Sequence, residues 1–160
     1  MNPSPLRLEH YLVTAFSFAA NREFEAGYPN AGELRPSDLR VEVNPLRHEE
    51  HPNKWMFELI VELPIQKEQH QPYSFRIELV GFFEVAAEYP KQRAELLANA
   101  NAPAVLFSAA REIVATMTGR GPYPAICLPS VMFLTPPAPE KPKAPAKATV
   151  RSKSRKKVSS

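Results

Sequence analysis

From Leu6 to Phe18 the chain alternates. Leu6, Leu8, His10, Leu12, Thr14, Phe16 and Phe18 fall on one side, and Arg7, Glu9, Tyr11, Val13, Ala15 and Ser17 on the other. A two-residue period predicts a β-strand. The stretch from Ala19 to Ser37 carries Gly27, Pro29, Gly32 and Pro36 and predicts a long connection, of the kind that crosses over something or has a task of its own. Three further strands follow. Asp38 to Asn44 aligns Leu39, Val41 and Val43; Trp55 to Leu63 aligns Trp55, Phe57, Leu59, Val61 and Leu63; Tyr73 to Val85 aligns Tyr73, Phe75, Ile77, Leu79 and Phe83. Pro64 to Pro72 reads as a polar hairpin loop between the last two.

The period then changes. Lys91 to Ala100 is rich in helix formers and predicts a short helix. Pro103 to Gly119 predicts a long one, with Val105, Leu106, Ala109, Ala110, Ile113, Val114 and Met117 in a stripe at helical spacing. Pro103 suits its first turn and Gly119 or Gly121 its end. The segment PYPAICLPSVMF beyond Gly121 is extended and apolar. Strands first and helices afterwards predict an α+β fold: a four-stranded antiparallel sheet with one long and one short helix.

The second faces of these strands are not polar. Tyr11 and Val13, Met56 and Ile60, and Val80 and Phe82 all lie opposite the main apolar rows. An antiparallel sheet with one face in water alternates apolar with polar. Two helices cannot cover two apolar faces, so another subunit or a bound partner is expected on the second.

Charge divides the 160 residues unevenly. The formal net charge is +3, yet residues 136–160 hold eight basic side chains (Lys141, Lys143, Lys147, Arg151, Lys153, Arg155, Lys156 and Lys157) against Glu140 alone, leaving −4 for residues 1–135. Pro136, Pro137, Pro139, Pro142 and Pro145 stand among Ala, Lys and Ser. Such a composition cannot bury enough apolar surface to offset the entropy of ordering, so residues 136–160 are expected to be a disordered tail following a 1–135 domain. Lys153, Arg155, Lys156 and Lys157 are its candidate anion-binding residues, for nucleic acid or another anionic surface. A single cysteine excludes a disulfide framework and fits a reducing compartment. No apolar run is long enough for a membrane span, and Met1 to Leu12 lacks a signal-peptide core, so a cytoplasmic protein, not an integral membrane one, is expected.

No constellation of catalytic groups assembles. His48-Glu49-Glu50-His51 departs from the HExxH zinc pattern and reads as a solvated loop. His10, on an apolar strand face, reads as a core or interface histidine. Ser108 lacks the glycines of a nucleophile elbow, and Cys127 reads as a small buried hydrophobe. Arg111 and Glu112 are adjacent on a helix and do not face each other. There is no glycine-rich phosphate loop. No enzyme activity, metal or cofactor is expected.

Residues 101–133, NAPAVLFSAAREIVATMTGRGPYPAICLPSVMF, resemble the signature region of the SecB protein-export chaperones. Pro103, Leu106-Phe107, Ala110-Arg111-Glu112, Arg120-Gly121, Pro124, Leu128, Val131 and Phe133 carry the resemblance. The upstream order agrees with it: Phe16-Ser17-Phe18, the long connection, and Gly81-Phe82-Phe83. The resemblance implies a homotetramer built as a dimer of dimers, without ATP or an active site. It also implies holdase binding of non-native polypeptides along apolar grooves, for export through the motor SecA or for a narrower client such as an antitoxin. Client-binding candidates are Phe24, Tyr28 and Leu34 in the connection and Tyr11, Val80 and Phe82 on the second sheet face. The acidic SecA-docking positions of the family fall at Ala15, Ala19 and Arg76, so a SecA interaction is expected to be weak. The prolines after Phe133 replace a second family helix. The alternative function is a nucleic-acid-associated oligomer acting through the basic tail.

Overall fold

The computed structural model describes residues 3–25, 27, 34–65 and 71–133. Four strands, β1 (Leu6–Ala20), β2 (Arg40–Arg47), β3 (Lys54–Leu63) and β4 (Tyr73–Val85), form one antiparallel sheet in the order β1-β4-β3-β2. The long connection is thereby explained. It leaves the β1 edge of the sheet and returns to the β2 edge, about 14 Å away at ordinary strand spacing. A short 3₁₀ turn, Pro36–Asp38, ends it, with the Asp38 carboxylate accepting the Arg35 backbone N–H at 2.8 Å.

β3 and β4 alternate without a break. Trp55, Phe57, Leu59, Val61, Leu63, Tyr73, Phe75, Ile77, Leu79, Phe83 and Val85 are all buried on one face. A helix, α1 (Lys91–Thr118), lies across that face and buries Ala94, Ala98, Ala102, Pro103, Leu106, Phe107, Ala110 and Val114 against it. The small residues in this stripe let the backbone approach the sheet. At Gly81 the approach is closest: a Cβ there would lie 2.6 Å from the Leu106 side chain and 2.8 Å from the ring of Phe83.

The two expected helices are one helix of 28 residues. Pro103 sits in its interior instead of opening a second helix. It removes one backbone donor and costs about 3 kcal/mol relative to alanine. The continuous face that runs through it, from Ala94 to Val114, is buried on the sheet and holds the helix together. Beyond Gly119 the chain runs without regular structure along the helix, inserting Ile126 and Leu128 into the core. Cys127, between them, therefore points outward and is exposed, not buried as its apolar neighbours suggested.

β1 departs most from its sequence pattern. Its pairing with β4 slips by one residue between Leu8 and His10 and again between Val13 and Ala15. Each β-bulge moves the following side chains to the other face. Leu6 and Leu8 pair with Val85 and Phe83 on the helix side; His10 and Leu12 pair with Phe82 and Val80 on the opposite face; Phe16 and Phe18 pair with Ile77 and Phe75 on the helix side again. His10 is thus not a core histidine but exposed, stacked on Phe82 with ring centroids 4.6 Å apart. Tyr11 and Val13, expected on the second face, oppose Gly81 and Leu79 on the helix side.

Candidate functional site

Residues directly opposite in an antiparallel sheet share a face, so the three registers define the side away from α1 row by row. One row runs Leu46–Met56–Phe82–His10 across all four strands, and the next runs Asn44–Glu58–Val80–Leu12. Together they form an apolar ridge crossing the sheet, with Ile60 one row further along β3. Leu46 is 60% and Leu12 52% exposed, and no described residue covers the ridge. A depression of about 180 Å³ opens beside Leu46, Met56 and Phe82, bordered by Glu9, Lys54 and His48.

Ion pairs close the ridge at one end, and carboxylates flank it on the other side. Arg7 meets Glu84 and Lys54 meets Glu9, each at 3.0 Å. The hydrogen bond from Lys54 holds the Glu9 carboxyl below the ordinary value for such a group. Glu42 and Glu78 flank Ile60 in its own row, and beyond it lies the row Arg40–Glu62–Arg76–Ser17. Arg76 donates to Glu78 at 2.8 Å and reaches Glu62 at 3.5 Å. The Glu78 contact raises the guanidinium pKa above its ordinary value, so its charge is secure and already neutralised within the face.

The client candidates occupy separate places. Val80 and Phe82 belong to the ridge. Tyr11 borders a shallow groove between β1 and α1, with Ile113, Thr116 and Met117. Leu34 packs against the core. Phe24 meets Tyr123 edge-on at 4.9 Å, and Tyr123 in turn lies against Tyr73. Tyr28 and the tail candidates Lys153, Arg155, Lys156 and Lys157 lie outside the described residues. The sequence pattern missed Leu12 and His10, because nothing in an alternating run marks a bulge. It also missed Leu46, which lies past the expected strand from Asp38 to Asn44, because β2 runs through Pro45 to Arg47. Pro is tolerated there because β2 is an edge strand.

In the exposed loop after β2, His48 Nδ1 accepts the backbone N–H groups of Glu50 and His51, each at 3.2 Å, so this nitrogen is engaged in the turn. Among the described residues no group of three or more His, Cys, Asp or Glu side chains is placed to hold a metal ion, and no helix is long and apolar enough to cross a membrane.

One face of the antiparallel sheet is thus sealed by a helix, and the other carries an open apolar ridge. The model of the family described as preprotein translocase subunit SecB matches residues 6–135, and the chain belongs to that family. A SecB-like chaperone from Mycobacterium tuberculosis, solved in complex with a peptide from the HigA1 antitoxin, shares its fold with a TM-score of 0.52 at 16% identity. The match covers 83% of this chain and 93% of that one. A search of curated proteins returned no match.

Proposed function

We propose that this protein is an ATP-independent holdase chaperone that binds non-native polypeptides on its exposed apolar surface, in the cytoplasm and as a homo-oligomer. The observation that carries the reading is the ridge of Leu12, Leu46, Met56, Val80 and Phe82, open on the side of the sheet away from α1. An unfolded chain offers apolar side chains without fixed geometry. A ridge without deep pockets takes such chains without demanding a sequence, and each fully buried large side chain contributes about 1.5–3 kcal/mol. Membership of the SecB family supports the same reading.

Assembly is supported by β1. It is an edge strand of 15 residues, with Tyr11, Leu12 and Val13 all exposed. A long apolar edge of this kind pairs with another chain or aggregates. We assign the edge, and the neighbouring α1 surface around Val105 and Met117, to contacts between copies. The SecA-docking positions support only weak binding of that motor: Ala15 and Ala19 carry no charge, and Arg76 is cationic and already paired. Nucleic acid is disfavoured on the open face by its carboxylates, which leaves the basic tail as the route for that alternative.

The test is light scattering of a denatured substrate diluted into nucleotide-free buffer. The protein at stoichiometric amounts keeps the substrate soluble. A variant carrying Met56→Ser and Phe82→Ser protects several-fold less while keeping its circular dichroism spectrum, because neither side chain lies under α1 or on the β1 edge. Undiminished protection in that variant removes the ridge from the client surface.

A further inference from the structure

The open face is electrostatically unbalanced on its β2 side. Each of its cations, Arg7, Arg40, Lys54 and Arg76, is within ion-pair distance of a glutamate. Glu42 and Glu58 beside the ridge, and Glu49 and Glu50 in the loop that follows β2, form no ion pair among the described residues. Glu58 accepts the Asn44 amide N–H at 2.9 Å. Glu42 lies on β2, Glu58 lies on β3 opposite Asn44 of β2, and Glu49 and Glu50 follow β2 beside the exposed Leu46.

The same chain carries a counterpart. In VRSKSRKKV, residues 150–158, basic residues alternate with serine at Arg151, Lys153 and Arg155 and continue to Lys157, with Val150 and Val158 at either end. In an extended chain these four cations share one side at intervals of about 6.8 Å and span about 20 Å. The path along β2 from Glu42 to the His48 loop is also about 20 Å. The described chain stops at Phe133, which packs on Phe107 of α1 with centroids 6.0 Å apart, on the other side of the sheet. Residues 134–150 are rich in proline and reach about 50 Å at the rise of a polyproline chain, enough to round a sheet edge.

We propose that residues 150–158 dock along β2 on the open face of this protein's own sheet, pairing with Glu42, Glu49, Glu50 and Glu58 and covering the Leu46 end of the ridge. The tail is then a tethered competitor for that face. Exposed pairs of this kind are individually weak and act together, held at high local concentration by the tether. No client takes part, so the docking stands or fails separately from the chaperone reading.

The test is zero-length carbodiimide crosslinking of the full-length protein, mapped by mass spectrometry. Crosslinks from Lys153 and Lys157 concentrate on the four named glutamates at about 20 mM salt and fall about fivefold at about 500 mM, where the screening length is only a few ångström. A variant with Glu42→Gln, Glu49→Gln, Glu50→Gln and Glu58→Gln loses them with an unchanged circular dichroism spectrum. Crosslinks spread evenly over exposed acids such as Glu23, Glu88, Glu95 and Glu112, or indifferent to salt, overturn the proposal. So does a tail that crosslinks nowhere on its own chain and is captured by duplex DNA at the same low salt.

Discussion

At the scale of single residues, Tyr73 joins the parts that the sheet alone leaves apart. Its hydroxyl lies 2.6 Å from the Tyr123 carbonyl and 3.2 Å from that of Thr118, and it accepts the Tyr123 N–H at 2.9 Å. Its ring stacks on Phe18 of β1, with centroids 5.1 Å apart, and fills the space that a side chain on Gly121 would need. One buried phenol thus fixes the end of α1, the segment after it and the start of β4. Tyr73→Phe keeps the ring and strands buried backbone groups, so it lowers unfolding stability by about 1–3 kcal/mol. Urea denaturation checks this; an unchanged midpoint contradicts the role given to the hydroxyl. Thr118 has a similar bridging position, accepting the Ile126 N–H at 3.1 Å and donating to the Val114 carbonyl at 2.8 Å.

At the scale of elements, β3 and β4 were legible because both their faces follow a strict two-residue period, and β4 begins and ends where the pattern places it, at Tyr73 and Val85. β1 was legible as a strand but not as a surface. Its two bulges leave the alternation of Leu6 to Phe18 intact while reversing which side faces α1, and only pairing with β4 reveals them. Half of the ridge is therefore readable in the sequence, at Met56, Val80 and Phe82, while the unbroken alternation of β1 puts His10 and Leu12 on the wrong face. The helix failed differently. Local rules favour a break at Pro103, but the rules do not contain the sheet beneath it. Pro103→Ala restores one backbone donor and relieves about 3 kcal/mol of propensity cost, while removing about two methylenes of buried surface worth about 1.6 kcal/mol. The net expectation is a stabilisation of about 1 kcal/mol, read as a higher thermal midpoint. A substantial loss of stability would mean that the proline ring contributes more as packing than it costs as a helix breaker.

At the scale of the whole molecule, the fold leaves two kinds of surface unsatisfied: the β1 edge and the ridge. They call for different partners. Backbone groups on a free edge pair best with a regular strand, which a second copy supplies in fixed register and closed symmetry. The ridge needs only apolar side chains, which any unfolded chain supplies. Size exclusion with light scattering should accordingly give a closed assembly, with about four times the chain mass of 18.0 kDa as the expected value. A monomer at micromolar concentration would remove the edge from this account.

A holdase of this kind distinguishes non-native from native polypeptide without nucleotide. The direct measurement is fluorescence anisotropy with one labelled substrate in two forms, one permanently unfolded by reduction and carboxymethylation and one native, titrated with the full-length protein in ATP-free buffer. The unfolded form is expected to bind saturably, and the native form to show no measurable binding over the same range. Equal affinity for both forms, or none for either, would contradict the chaperone reading.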